Sequence, residues 1–158
     1  MTFEIVKVRT PELISELTEL WNRSVRTTHH FLGEEDIVRL RGYVPLAIMD
    51  IQTLIVAFDG DVPVGFAGLR SNKIEMLFVS PDNMGRGIGR ALITLAIRDF
   101  GARLIDVNEQ NTVARTIYGH WGFLEYARSG TDDQGRPFPI LRMSLSEDAA
   151  QLLCVRQS

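Results

Sequence analysis

Apolar positions change period several times along the chain, and each change marks an element. Phe3, Ile5, Val6 and Val8 fall in a short, partly alternating stretch that predicts a strand over 3–8. Thr10-Pro11 opens a helix, because proline at the first helical position gives up only an N–H that has no helical partner there. Leu13, Leu17, Leu20, Trp21 and Val25 follow at helical spacing. A second helical pattern runs from Glu34 to about Met49 through Ile37, Leu40, Val44 and Ile48. Thr53 to Phe58 is a dense apolar strand, Asp59-Gly60-Asp61 a hairpin turn, and Val64 to Leu69 the strand that pairs back. Ile74 to Val79 is another strand, ended by Ser80-Pro81. Beyond a glycine-rich loop, Ile88, Leu92, Leu95, Ala96 and Phe100 predict a helix over 88–100. Leu104 to Val107 is a short strand, and Asn111 caps a helix that Gly122 ends near Trp121. Phe123 to Arg128 and Ile140 to Leu145 are two late strands joined across Asp132-Asp133-Gln134-Gly135. From Glu147 to Ser158 the pattern predicts a surface tail or a frayed helix.

The order is β-α-α-β-β-β-α-β-α-β-β, which predicts an α/β chain with a mixed sheet and helices on it. The run strand, glycine loop, helix, strand requires a parallel pair with a crossover. Such a crossover sets a helix N-terminus beside the end of a strand. Internal repeats and low-complexity stretches are absent, so the reading is a single domain over 1–146 and a C-terminal tail over 147–158.

Composition narrows the picture. The chain has 158 residues, with 17 Lys and Arg against 20 Asp and Glu, a net charge of −3. That length buries a core without staples, and a nucleic-acid binder would need a clear basic excess. No apolar run approaches the ~18 residues of a membrane span. Met1 to Lys7 lacks the basic start and long apolar core of a secretory signal. Cys154 is the one cysteine, which excludes an internal disulfide framework and a multi-cysteine zinc site. The expectation is a cytoplasmic, metal-free protein, monomer or homodimer, with no nucleic-acid or membrane partner.

Candidate chemistry begins at Met84-Gly85-Arg86-Gly87-Ile88-Gly89-Arg90, between a strand and a helix. Unpaired N–H groups at a helix start carry the positive end of the helix dipole and suit an anion. Glycines let the backbone approach a phosphate closely, and Arg86 and Arg90 add charge. A dinucleotide fingerprint does not fit: its third glycine would fall on Arg90 or Leu92. No P-loop motif occurs either. A plain tight turn before a helix remains the alternative.

Leu77-Phe78-Val79, then Ser80-Pro81, then this loop resembles the signature of the GCN5-related N-acetyltransferases. That family's loop, [Q/R]-x-x-G-x-[G/A], falls on Met84 to Gly89; Gly87 and Gly89 match, and Met84 departs from the usual Gln or Arg. A second stretch resembles the family's N-x-x-A-x-x-x-Y-x-x-x-G-F, matching at Asn111, Ala114, Tyr118, Gly122 and Phe123. The chain is also similar to a subgroup of small bacterial acetyltransferases, through Arg23-Ser24-Val25, Thr28-His29-His30-Phe31-Leu32 and Gly135-Arg136-Pro137-Phe138-Pro139.

The resemblance implies a central mixed sheet with splayed parallel strands and direct acetyl transfer from acetyl-CoA to an amine of a small molecule or peptide in a ternary complex. It implies that Leu77, Phe78 and Val79 line the pantetheine slot. Gly85, Arg86, Gly87, Ile88, Gly89 and Arg90 would hold the pyrophosphate, and Asn111 would contact the pantetheine arm. A backbone N–H near Leu77 would polarise the thioester carbonyl, and Tyr118 would protonate the departing thiolate as general acid. For the base, Glu75, Asp106, His29, His30 and a water stay open. Neutralising a Lys amine at pH 7.4 costs about 4 kcal/mol and an α-amine under ~1 kcal/mol, so a site without a strong base suits an α-amine or a water-relayed proton. A non-catalytic acyl-CoA sensor is the alternative function. Cys154, His120 and the acidic turn Asp132-Asp133 read as bland: a tail residue, a surface residue and turn chemistry.

Overall fold

A computed structural model describes residues 1–155. Seven strands, β1 (Thr2–Ile5), β2 (Thr53–Asp59), β3 (Val62–Arg70), β4 (Lys73–Val79), β5 (Leu104–Asn108), β6 (Phe123–Ser129) and β7 (Ile140–Leu145), form one sheet in the order β1-β2-β3-β4-β5-β7-β6. Only β4 and β5 run parallel; the other neighbours are antiparallel. Helices α1 (Pro11–Thr28), α2 (Glu34–Arg41) and α3 (Val44–Asp50) pack on one face, while α4 (Ile88–Phe100), α5 (Thr112–His120) and α6 (Glu147–Val155) belong to the other. The mixed α/β sheet is the architecture predicted.

The core is double because β2 and β3 are buried on both sides. Leu54, Val56 and Phe66 meet Leu17, Leu20, Trp21 and Ile48. Ile55, Ala57, Ala67 and Leu69 meet Leu92, Ile93, Ala96 and Ile97. Each fully buried Leu or Ile removes enough apolar surface to contribute roughly 1.5–3 kcal/mol. Helix α4 lies so close to β3 that a Cβ on Gly65 would sit 2.9 Å from Ile88 Cγ2 and 3.2 Å from the Phe78 carbonyl oxygen. Glycine is therefore required by space there.

Three boundaries differ from the sequence reading. The first strand ends at Ile5 rather than at position 8. Arg9 draws the chain away from the sheet, its Nη1 donating to the carbonyls of Ile48 at 2.9 Å and Ile51 at 2.5 Å, at the end of α3. The helix expected over 34–49 is two helices, broken at Gly42-Tyr43. Pro45 causes the break: within one continuous helix its ring would clash with the Arg41 carbonyl, whereas in the first turn of α3 its missing N–H costs nothing. The stretch from Glu147 is an ordered helix with Ala150 and Leu153 buried, opened by an Arg103–Glu147 pair at 2.8 Å. Positions 156–158 of that stretch lie outside the described residues.

One irregularity positions the site. The register of β3 against β4 passes from Leu69↔Ile74 to Gly68↔Met76, leaving Glu75 as an extra residue, a β-bulge. Bulges bend a strand and increase its twist. The parallel ladder to β5 consists of Lys73↔Leu104 and Ile74↔Ile105 and stops there. From Met76 to Val79 the strand is paired on its β3 side while its β5 side faces a gap.

Candidate active site

The gap widens into a cavity of about 510 Å³, within the range of small-molecule sites. Leu77, Phe78 and Val79 line it, as do Gly85, Gly87, Ile88, Gly89 and Arg90, and Asn111 and Tyr118 on α5. Residues separated by up to 41 positions in the chain, Leu77 to Tyr118, thus meet in one space. Of the residues expected at a pyrophosphate, Arg86 is exposed and does not form part of the wall.

One end of the cavity is built from backbone. Gly85 and Gly87 have φ of 78° and 76°, the left-handed region that L side chains rarely adopt. Gly87 is the N-cap of α4 and offers no side-chain cap. The first-turn N–H groups of α4 are therefore left for an anion, with the helix dipole behind them. Arg90 stands in the same turn. This is a cradle that a pyrophosphate fits, and a Cβ on Gly85 or Gly87 would meet no neighbouring atom within 4 Å.

The other end is built from side chains. Asn111 is buried; its Oδ1 accepts from the Ala114 N–H at 3.2 Å, capping α5, and its Nδ2 lies 3.4 Å from His29 Nε2. Tyr118 is half-buried, its ring 5.7 Å from that of Trp121 and 6.3 Å from that of Phe123. Burial pushes its phenol up to about 12, so the proton stays on oxygen at neutral pH. Ala114, one turn earlier on the same helix, keeps the wall beside the phenol low.

The candidate bases separate clearly. His29 caps the C-terminus of α1 and lines the cavity, against the rings of Phe31 and Phe78. Burial, reinforced by His30, lowers its imidazole to about 4, so it is neutral at pH 7. His30 is exposed and outside the cavity. Asp106 is committed elsewhere: Lys73 Nζ at 2.7 Å and Arg142 Nη1 at 2.6 Å both hold its Oδ2. Glu75 sits on the bulge with Arg70 at 3.8 Å.

Asn108, Val113, Ile117 and Trp121 also line the cavity and were not singled out from the sequence, and Ser24 and Thr28, quoted only for the subgroup resemblance, line it too. Asn108 stands three residues before the second motif, at the end of β5. Its Oδ1 is buried without a hydrogen-bond partner among the described residues, a cost of roughly 1–3 kcal/mol for such a group. Cys154 packs on α6, away from the cavity. His120 is exposed, and Asp132 Oδ1 accepts from the N–H groups of Gln134 and Arg136, which is turn chemistry. Among the described residues no three His, Cys, Asp or Glu side chains gather as a metal site, and no helix is long and apolar enough to cross a membrane.

Free backbone N–H groups at a helix start, a slot between parting parallel strands and a protonated phenol in the same wall are what a CoA-dependent acyltransferase needs. The family model for the acetyltransferase (GNAT) domain matches residues 29–145, and the chain belongs to that family. It is 36% identical over 128 residues to the peptidyl-lysine N-acetyltransferase YjaB of Salmonella typhimurium, covering 81% of this chain and 88% of the relative. The solution structure of apo-form YjaB from Escherichia coli superposes with a TM-score of 0.81 at 36% identity, over 91% of this chain and 97% of that one. The PaiA N-acetyltransferase of Thermoplasma acidophilum, solved with coenzyme A, shares the fold at a TM-score of 0.68 and 23% identity, over 92% of this chain and 99% of that one. The activity is transfer of an acetyl group from acetyl-CoA to an amine.

Proposed function

We propose that the chain acetylates the side-chain amine of lysine in peptides or proteins, with Tyr118 as general acid. The observation that carries the site assignment is the end of the β4–β5 ladder at Ile74↔Ile105, which brings the glycine loop, Asn111 and Tyr118 to one cavity. The lysine acceptor is supported by the two 36%-identical relatives, both named peptidyl-lysine N-acetyltransferases. Acetyl-CoA supplies the thioester. The N–H groups at the start of α4, with Arg90, hold its pyrophosphate. Asn111 and the unpaired edge of β4 hold the arm, and a backbone N–H near Leu77 polarises the carbonyl. Tyr118 keeps its proton to pH values far above 7 and gives it to the thiolate as the new amide forms. The same reading sets the work in the cytoplasm, where acetyl-CoA is available, and disfavours a non-catalytic sensor, which has no use for a protonated phenol at the reacting end.

The amine must arrive without its extra proton. Leaving that proton on an imidazole at about 4 would cost on the order of 9 kcal/mol, against about 4 kcal/mol to release it to bulk solvent at pH 7.4, so the amine sheds it to solvent and His29 does not take it. This lack of a strong base supports the second reading, an α-amine acceptor. Mass spectrometry on two peptides separates them: one Nα-blocked with a single lysine, one lysine-free with a free N-terminus. Acetylation of the blocked lysine peptide is expected. Acetylation confined to the free N-terminus would overturn the lysine reading.

A further inference from the structure

Asn111 does two things at once, and both depend on which way its amide points. Its Oδ1 caps α5 at Ala114 and its Nδ2 faces His29 Nε2. A flip would set oxygen against nitrogen lone pair at one end and two donors against each other at the other. What holds the amide is a chain of hydrogen bonds that starts on α1.

Thr28 Oγ1 lies 2.8 Å from the Ser24 carbonyl, which can only accept, so the hydroxyl proton is used there. Toward His29 Nδ1, also at 2.8 Å, Thr28 offers only a lone pair. The imidazole must therefore carry its proton on Nδ1. A neutral ring with Nδ1–H has a bare Nε2, and a bare Nε2 accepts from Asn111 Nδ2 at 3.4 Å. Every donor in the chain meets an acceptor. One N–H of Asn111 remains, directed to neither partner. The ring itself is clamped by Phe31 at 5.4 Å and Phe78 at 6.5 Å between centroids, and the bond to Asn111 spans 82 positions of sequence.

We propose that His29 is a positioning residue: through the Ser24–Thr28–His29 chain it fixes the Asn111 amide so that its remaining N–H is presented to a carbonyl of the acetyl-CoA arm. This rests on the reading of the cavity as the acetyl-CoA slot. Its consequence is that α1 and α5, both of which contribute to the cavity wall, share one polar joint. His29 then acts on cofactor affinity and neither takes nor gives a proton in the reaction. Burial keeps the ring uncharged through the neutral range, which the bare Nε2 needs.

The test is calorimetric titration of the full chain with coenzyme A, for wild type, H29Q, H29L, N111A and H29L/N111A. H29L is expected to weaken binding about tenfold, the loss of one buried hydrogen bond, and H29Q to recover most of it because its amide oxygen can accept. The double variant is expected to bind no worse than N111A alone. Additive losses, or an H29L effect confined to the KM of the amine with coenzyme A binding intact, would overturn the proposal. A second measurement needs no variant: nitrogen NMR of wild type at pH 7 is expected to show His29 protonated on Nδ1 alone, and a proton on Nε2 would contradict it. A wild type that binds coenzyme A but leaves lysine untouched would refute the lysine acceptor and leave His29 in place. A wild type that does not bind coenzyme A would overturn both.

Discussion

The two ends of the cavity are made of different material. At the glycine end the groups proposed to bind are backbone N–H groups, and the side chains there matter mostly by being absent. At the Tyr118 end the groups are a phenol, an amide and an imidazole, each held by neighbours from distant elements. Backbone groups are set by local conformation, so a short motif can encode them. Side-chain groups are set by packing, so their roles depend on contacts across the fold. The glycine end should therefore be robust to pH and sensitive to backbone freedom, and the Tyr118 end the reverse.

The largest expected effect on coenzyme A binding breaks the glycine end. Gly87 has φ of 76° with open space before it, so a β-branched residue is strained there and its methyls project toward the anion. Gly87→Val is expected to weaken coenzyme A binding about a hundredfold, read by calorimetry. A loss under threefold would mean that the loop is only a turn.

Next comes the pH response of the other end. His29 in the folded chain is held down to about 4 and titrates near 6.5 when unfolded. Its contribution to stability is therefore complete above pH 6.5 and is lost as pH falls toward 4. Denaturant unfolding is expected to lose on the order of 2 kcal/mol across that window from this group. H29Q is expected to flatten that part of the profile; an unchanged slope would show that His29 is not held neutral by its site.

The smallest effect sharpens the contrast. Arg90→Ala removes a charge from the cradle but none of its N–H groups. Coenzyme A binding is expected to weaken about three- to fivefold at low salt and less at high salt, because screening reduces what a partly exposed charge contributes. An Arg90→Ala loss equal to that of Gly87→Val would place the anion on side chains and dissolve the distinction between the two ends.

The same distinction governs what could be read from the sequence. The succession of strands along the chain, the crossover and the loop before α4 follow from local period and glycine placement, and they match the structure. Asn111 and Tyr118 were legible through the resemblance of the stretch 111–123 to the family's motif. The break at Gly42-Tyr43 was hidden, since Ile37, Leu40, Val44 and Ile48 keep helical spacing across it and only Pro45 betrays it. The bulge at Glu75 left no mark, because it arises from the pairing of β4 with β3. Asp106 looked like a base until the fold brought Lys73 and Arg142 onto it. His29 stood as one of several open candidates, and its place beside Asn111 comes from the C-terminal end of α1 meeting the start of α5, which no local pattern encodes.

The central claim is that Tyr118 gives the proton while other groups hold acetyl-CoA. Steady-state thiol release from acetyl-CoA with a lysine peptide, wild type beside Tyr118→Phe, tests it most directly. The phenyl ring preserves the packing on Trp121 and Phe123 and removes only the hydroxyl. The account expects kcat to fall about 10²- to 10³-fold while coenzyme A affinity stays within about threefold. Equal losses in affinity and turnover, or a kcat within a few-fold of wild type, would contradict it.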